Sequence, residues 1–120
     1  MEVDELTYAI NGAIYEVNRE LGPGFLEKVY ENALLLELRQ RGLRAEGQVP
    51  IRIDYKGTNV GEFFADILVD GKVILELKAT EFLLKVHEAQ ILNYLKGTGI
   101  KVGLLVNFTH PKAEIKRFIL

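Results

Sequence analysis

The first part of the chain shows apolar residues at helical spacing. Near the amino terminus they recur every three or four positions, at Val3, Leu6, Ile10, Ala13, Ile14, Val17 and Leu21. This pattern predicts an amphipathic helix over about residues 4–20. The tripeptide Gly22-Pro23-Gly24 interrupts it. A second helix is predicted over about residues 25–41, with Gly42 as the residue that ends it.

The pattern then changes to the alternation of strands. Val49–Tyr55 alternates, a turn follows at 56–59, and residues 61–69 and 72–79 predict two strands joined at Asp70-Gly71. Residues 85–97 predict a third helix, 100–108 an apolar central strand, and 114–120 a last strand or short helix. The order α-α-β-β-β-α-β, with a final β as an option, predicts an α/β (α+β) fold with helices on the faces of a sheet.

Composition and charge narrow the function classes. A chain of 120 residues with 48% hydrophobic content fits one domain, residues 1–120. The absence of cysteine excludes disulfides, thiolate metal sites and cysteine nucleophiles. No apolar run is long enough for a membrane span, and no secretion signal is visible, so we expect a cytoplasmic protein without a membrane partner. Proteins that bind nucleic acid without sequence specificity are usually strongly basic, so a net charge of −2 argues weakly against such a protein.

Two charged residues stand in an otherwise apolar strand. Glu76 and Lys78 are two positions apart and therefore share one face of the strand at 72–79. Buried charges are costly unless they pair with each other or bind a metal ion. A structural Glu–Lys pair at a strand end remains an alternative. Asp66, in the apolar strand before it, is the residue that favours a reactive site.

The register of the hairpin decides whether Asp66 and Glu76 meet. A two-residue loop at Asp70-Gly71 puts the two carboxylates on opposite sides of the sheet. A three-residue loop, Val69-Asp70-Gly71 with Gly71 left-handed, pairs Leu68 with Lys72 and puts both acids on one face as diagonal neighbours. We predict the three-residue loop. Two carboxylates on one face suit Mg²⁺ or Mn²⁺, and a nearby lysine can hold a water and stabilise charge on a phosphate.

Three segments resemble a known family. Asp66 followed by Glu76-Leu77-Lys78 resembles the signature of the PD-(D/E)XK nuclease superfamily, with Ala65 where the name of the signature has proline. The segment Gly24-Phe25-Leu26-Glu27-Lys28-Val29-Tyr30 matches the motif of the GxxExxY protein family, a branch of that superfamily. Residues 86–94 resemble its later helix, with a Gln-x-x-x-Tyr pattern at Gln90 and Tyr94.

The resemblance implies a restriction-endonuclease-like mixed sheet flanked by helices and a divalent-metal phosphodiesterase site. It implies metal ligation by Asp66, Glu76 and the backbone carbonyl of Leu77, with Mg²⁺ (or Mn²⁺) as cofactor. The candidate catalytic residues are Lys78, Glu27 and Gln90. The candidate residues lining the site are Tyr94, Tyr30 and His87.

Several of these residues have structural alternatives. Glu27 is also the kind of exposed acid that a helix amino terminus favours. Tyr30 and Tyr94 are also typical of core aromatics with a satisfied hydroxyl, and this interpretation is the better one for Tyr30. His87 is also typical of a polar residue at the edge of a site, because metal and lysine already account for activation of water.

Three functions follow from these residues. The first is a metal-dependent nuclease that hydrolyses the phosphodiester bonds of nucleic acid, with DNA favoured over RNA. The second is a catalytically silent module of the same fold that binds nucleic acid or a protein partner. The third is a nuclease subunit that needs a homodimer or a larger complex, since a chain of 120 residues has little surface for gripping a duplex.

Overall fold

A computed structural model describes residues 1–120, and its three helices lie close to their predicted positions. Helix α1 spans Val3–Leu21, α2 spans Glu27–Gln40 and α3 spans Lys85–Thr98. Gly42, at φ 84°, follows the end of α2 in the left-handed conformation that favours glycine. Helix α2 begins two residues later than predicted, because Leu26 is still extended. None of these helices combines the length and apolarity needed to cross a bilayer.

Five strands form one sheet. They are β1 (Ala45–Tyr55), β2 (Thr58–Val69), β3 (Val73–Lys78), β4 (Val102–Asn107) and β5 (Glu114–Ile119), in the spatial order β1-β2-β3-β4-β5. Only β3 and β4 are parallel, and the crossover between them contains α3. The sheet is therefore mixed, as predicted, and the undecided last element is a strand. Strand β3 is the central strand of the sheet. Strand β4, which was predicted to be central, is an interior strand next to β3.

The helices cover opposite faces of the sheet. Helices α1 and α2 pack on one face and form the larger core, which includes Leu6, Ile10, Leu34, Leu75 and Leu104. Helix α3 covers the other face and forms a smaller core with Ile51, Ala65, Ile74, Tyr94 and Leu95. Both faces of β3 and β4 are covered by helices. Because side chains on both faces are therefore buried, the sequences of these strands are nearly continuous hydrophobic runs.

Gly103 lets α3 lie close to the sheet. A Cβ atom at this position in β4 would stand 2.9 Å from Cδ1 of Ile91 on α3, closer than side-chain carbons approach. The missing side chain therefore fixes the depth at which α3 sits on β4.

Candidate active site

The β2–β3 hairpin brings Asp66 and Glu76 together. Val69 pairs with Val73 and Ile67 with Leu75, which makes Asp66 and Glu76 the next opposed positions. The Asp66 N–H donates to Oε1 of Glu76 at 3.1 Å. The N–H of the residue after Glu76, Leu77, donates to Oδ2 of Asp66 at 2.8 Å. Each carboxylate thus has one oxygen held by the opposite strand.

The turn that sets this register differs by one residue from the prediction. The loop has three residues, as expected, but it consists of Asp70, Gly71 and Lys72, so the predicted pairing of Leu68 with Lys72 is wrong. Asp70 and Gly71 both have positive φ, and the Lys72 N–H donates to the Val69 carbonyl at 2.9 Å. Moving the loop by one residue changes the register by two positions. The two acids therefore become directly opposed instead of diagonal, and each carboxylate bonds the backbone of the other's strand.

The side-chain alternation of β2 slips by one residue at Asp66. Ile67 packs in the larger core, whereas Ala65, two positions away, packs in the smaller core on the other face. On the neighbouring strand β1, Gln48 stands between the pairs Gly47–Ile67 and Val49–Ala65 and has a positive φ of 51°. A positive φ is costly for a residue with a side chain and is concentrated at functional sites. The slip places Asp66 between the two cores.

Lys78 lies at the end of β3, two positions beyond Glu76. The backbone around it is fixed, because the Phe108 N–H donates to the Lys78 carbonyl at 2.8 Å. The fully buried Asn107 exchanges side-chain hydrogen bonds of 3.0 and 2.9 Å with the backbone of Thr80. Lys78 forms no ion pair within 4.0 Å. Its ammonium is therefore available to a ligand near the carboxylates.

Burial makes the carboxylate pair hard to ionise. It raises the pKa of Glu76 to about 8, with the nearby Asp66 carboxylate as the second cause. Burial also raises the pKa of Asp66, against the stabilising hydrogen bond from the Leu77 N–H. Lys78 lowers the pKa of both acids, but its influence is smaller than that of burial. Lys78 alone therefore does not offset the cost of ionising both carboxylates.

Glu27 stands at the first residue of α2 and faces the same centre. Partial burial raises its pKa, Lys78 opposes that rise, and Asp66 adds to it. These interactions bring the side chain from the early helix into electrostatic contact with the strand residues. Its position at a helix amino terminus, where charges of this sign are stabilised, is the alternative noted above, and the two roles are compatible.

Two residues that the motifs did not indicate complete the polar cluster. Glu31, whose side chain is 5% exposed, receives a 2.6 Å hydrogen bond from Lys28. The Gln48 amide donates to both Glu31 oxygens, at 3.0 and 3.2 Å, and lies 3.5 Å from Oδ1 of Asp66. Glu31 follows Glu27 by four residues and so shares its helix face, which is a detectable pattern. Nothing in the sequence indicates Gln48, because only its backbone conformation turns the amide inward.

Gln90 and Tyr94 lie on α3 over the same face of the sheet. The Gln90 amide donates to the Tyr94 hydroxyl at 2.9 Å. Burial raises the pKa of Tyr94, and the charges of Glu76 and Asp66 raise it further. The two side chains thus share one face of α3, as the spacing of four residues predicted, and Tyr94 lies within the electrostatic influence of the carboxylates.

Tyr30, a candidate for lining the site, lies in the core, which was its preferred interpretation, and His87 lies at the edge of the site. Tyr30 is 1% exposed in the larger core, stacks on Phe108 at 4.6 Å and donates its hydroxyl to the Gly22 carbonyl at 2.7 Å. It therefore supports the loop before α2 instead of lining the carboxylate cluster. The Nδ1 atom of His87 accepts a 3.0 Å bond from the Leu84 N–H and caps the start of α3. Desolvation and then Lys78 lower the pKa of His87, which places it at the edge of the site.

Comparison with known proteins identifies the family. The sequence profile of the PD-(D/E)XK nuclease superfamily matches residues 4–118. The chain belongs to this superfamily. The predicted superfamily and the restriction-endonuclease-like fold are thereby confirmed, while membership of the GxxExxY branch stays a prediction. No curated protein matches the chain significantly.

Two solved structures resemble this PD-(D/E)XK chain in fold. SSO0001 has a TM-score of 0.63 at 20% identity, over 77% of this chain and 48% of its own. This chain thus spans about half the length of SSO0001. The alkaline exonuclease LHK-Exo from Laribacter hongkongensis has a TM-score of 0.49 at 11% identity, over 98% of this chain and 70% of its own.

Members of the PD-(D/E)XK superfamily generally use divalent metal ions, and the donor set of this chain fits one. Oε2 of Glu76 has no hydrogen-bond partner, and Oδ1 of Asp66 has only the long contact with Gln48. These two oxygens are hard donors, and neither carboxylate forms an ion pair within 4.0 Å. No three Asp, Glu or His side chains converge as a metal cage. The fit is therefore to an ion held by two carboxylates, with backbone and water in the remaining positions.

Proposed function

We propose that this protein is a divalent-metal-dependent nuclease that hydrolyses phosphodiester bonds, with DNA as substrate and Mg²⁺ or Mn²⁺ as cofactor. The observation that supports this most directly is the pairing of Asp66 and Glu76 on one face, with Lys78 beside them. Membership of a nuclease superfamily supports the same reaction class.

The proposed ligands are the carboxylates of Asp66 and Glu76 and the backbone carbonyl of Leu77. A bound divalent ion would neutralise the phosphodiester and promote ionisation of the attacking water. The water oxygen then forms the new bond to phosphorus, the bond to the leaving sugar oxygen breaks, and that oxygen takes up a proton.

The remaining side chains position these groups. The ammonium of Lys78 hydrogen-bonds the attacking water and stabilises the negative charge that develops on the phosphate oxygens. Glu27, with its raised pKa, is placed to exchange a proton with the water or the leaving group. The Gln90 amide and the Tyr94 hydroxyl bound the site on the α3 side and orient the phosphate.

The decisive experiment is Mg²⁺- or Mn²⁺-dependent cleavage of single- and double-stranded DNA and RNA. Asp66→Asn and Lys78→Ala are assayed beside Asp4→Asn and Lys56→Ala, which alter exposed side chains far from the carboxylates. We expect cleavage by the wild type and by both control variants, and none by the two site variants. Calorimetric titration with Mn²⁺ is measured on every protein.

The other outcomes distinguish the alternatives. Absence of cleavage with tight Mn²⁺ binding would favour a nuclease subunit that needs a partner or a second copy. Absence of both cleavage and metal binding would contradict the proposal and favour a catalytically silent module. Cleavage that survives Asp66→Asn would show that the reactive centre lies elsewhere.

A further inference from the structure

Phe63 is an exposed aromatic ring next to the candidate active site. It stands three residues before Asp66 on β2, roughly 10 Å along the strand. Its ring lies against that of Tyr94, with centroids 5.8 Å apart and planes tilted by 43°, yet 48% of the residue is exposed. Tyr94 in turn accepts a hydrogen bond from Gln90, and the charges of Glu76 and Asp66 raise its pKa. A large apolar ring is thus held rigidly on one side and open to solvent on the other.

The open side of Phe63 borders a cleft of about 490 Å³ between β1 and α3. The cleft is also lined by Asn93 and Lys96 of α3 and by Arg52 and Asp54 of β1. Arg52 and Asp54 form an ion pair at 2.7 Å, whereas Lys96 is exposed and forms no ion pair. The lining therefore combines an aromatic face, an amide and an uncommitted cation.

This combination suits one nucleotide of an unpaired strand. An aromatic ring can stack on a base only when that base is not enclosed in a duplex, and such stacking tolerates any base. A lysine can hold the neighbouring phosphate, and an asparagine can bond a base edge.

We infer that the cleft beside Phe63 is a base-stacking subsite and that the substrate is single-stranded nucleic acid or a frayed end. This inference rests on the proposed nuclease function and deepens it by naming the substrate class. Phe63 stacks on the base one to two nucleotides from the scissile phosphate, and Lys96 holds the phosphate attached to it. Tyr94 supports the ring from behind.

The chain offers a matched control for this subsite. Phe64 has the same exposed fraction, 48%, and pairs with Pro50 on β1. Successive strand residues point to opposite faces, so Phe64 lies on the face away from α3 and the cleft. Phe63→Ala and Phe64→Ala thus remove equal exposed rings from the same strand, and only one of them borders the subsite.

The experiment measures binding of a short DNA strand that carries the fluorescent base 2-aminopurine, alone and annealed to its complement, in EDTA. We expect the wild type to prefer the single strand and to quench the fluorescence, which reports stacking. Phe63→Ala should weaken single-strand binding about 5- to 100-fold and abolish the quenching, as expected for loss of one base–aromatic stack. Phe63→Trp should retain both, and Phe64→Ala should bind like the wild type.

Equal effects of Phe63→Ala and Phe64→Ala, or equal binding of single strand and duplex, would overturn the subsite. Because EDTA prevents cleavage, this result is independent of the nuclease proposal. Phe63-dependent stacking without any cleavage would leave the subsite standing and contradict the nuclease. Cleavage that prefers duplex and does not depend on Phe63 would support the nuclease and contradict the subsite.

Discussion

Glu76 should make the metal-free protein less stable as the pH rises, and Glu76→Gln should remove this effect. Burial raises the pKa of Glu76 from 4.5 to about 8. The folded protein therefore binds a proton there more tightly than the unfolded chain. The stability from this group is complete below pH 4.5 and is lost as the pH rises through about 8.

The magnitude follows from the size of the shift. One pKa unit corresponds to about 1.36 kcal/mol, so Glu76 should lower the free energy of unfolding by about 3–4 kcal/mol between pH 5 and pH 8. That is a large part of the roughly 5–15 kcal/mol typical of a domain. A glutamine has nearly the same shape, can still accept the bond from the Asp66 N–H, and can donate to an Asp66 oxygen.

Urea unfolding of both proteins in EDTA across this pH range tests the prediction. The difference in stability between Glu76→Gln and the wild type should grow by about 3–4 kcal/mol from pH 5 to pH 8. Groups that titrate in both proteins cancel in this comparison. Glu114→Gln, at an exposed glutamate of β5, should behave like the wild type throughout.

A metal ion that binds the folded wild type should restore stability at pH 8, by about 2.7 kcal/mol when its concentration is a hundred times the dissociation constant. Glu76→Gln should gain less. A stability difference that stays constant with pH would refute the account of the buried carboxyl. A pH-dependent difference with no gain from Mg²⁺ or Mn²⁺ would retain that account and refute the metal site.

Three further predictions test the surroundings of the carboxylates. Gln48→Gly should leave the free energy of unfolding within about 1 kcal/mol of the wild type, because relief of the positive φ offsets the lost hydrogen bonds to Glu31. If the contact of the Gln48 amide with Oδ1 of Asp66 positions that carboxylate, calorimetry should show weaker Mn²⁺ binding by this variant, and unchanged affinity would contradict such a role. Lys78→Met should lower kcat about 100-fold or more while Mn²⁺ still binds, and a loss confined to KM would argue against stabilisation of the transition state. Gly103→Ala should cost about 1–3 kcal/mol in urea unfolding, because the added methyl meets Ile91, and a neutral result would show that α3 can shift freely.

The sequence alone predicted the candidate site on β3, because charged residues there interrupt an apolar strand. Glu76 and Lys78 interrupt a run that both faces of the sheet bury, and strand periodicity alone places them on one side. The requirement that Asp66 and Glu76 share a face also led to the right loop length. The exact loop residues were missed because a loop moved by one residue preserves the same face.

The residues that escaped detection depend on contacts distant in the chain. Glu31 becomes part of the cluster only because Gln48, 17 positions later, turns its amide inward from a left-handed backbone. Tyr30 fits a functional motif, yet the stack on Phe108 draws it into the core. Tyr30 and Glu31 are adjacent on α2. The local sequence pattern does not show which of the two faces the candidate site and which faces the core.

The sequence by itself determined the order of the helices and strands, since these follow from short-range periodicity and from glycine at the turns. It also determined the identities of the paired acids and the lysine. The tertiary structure decided the slip at Asp66 and Gln48, which requires two hydrophobic cores to pack against opposite faces of one strand. It also decided the raised pKa of Glu76, because desolvation is a property of the assembled fold and not of any segment.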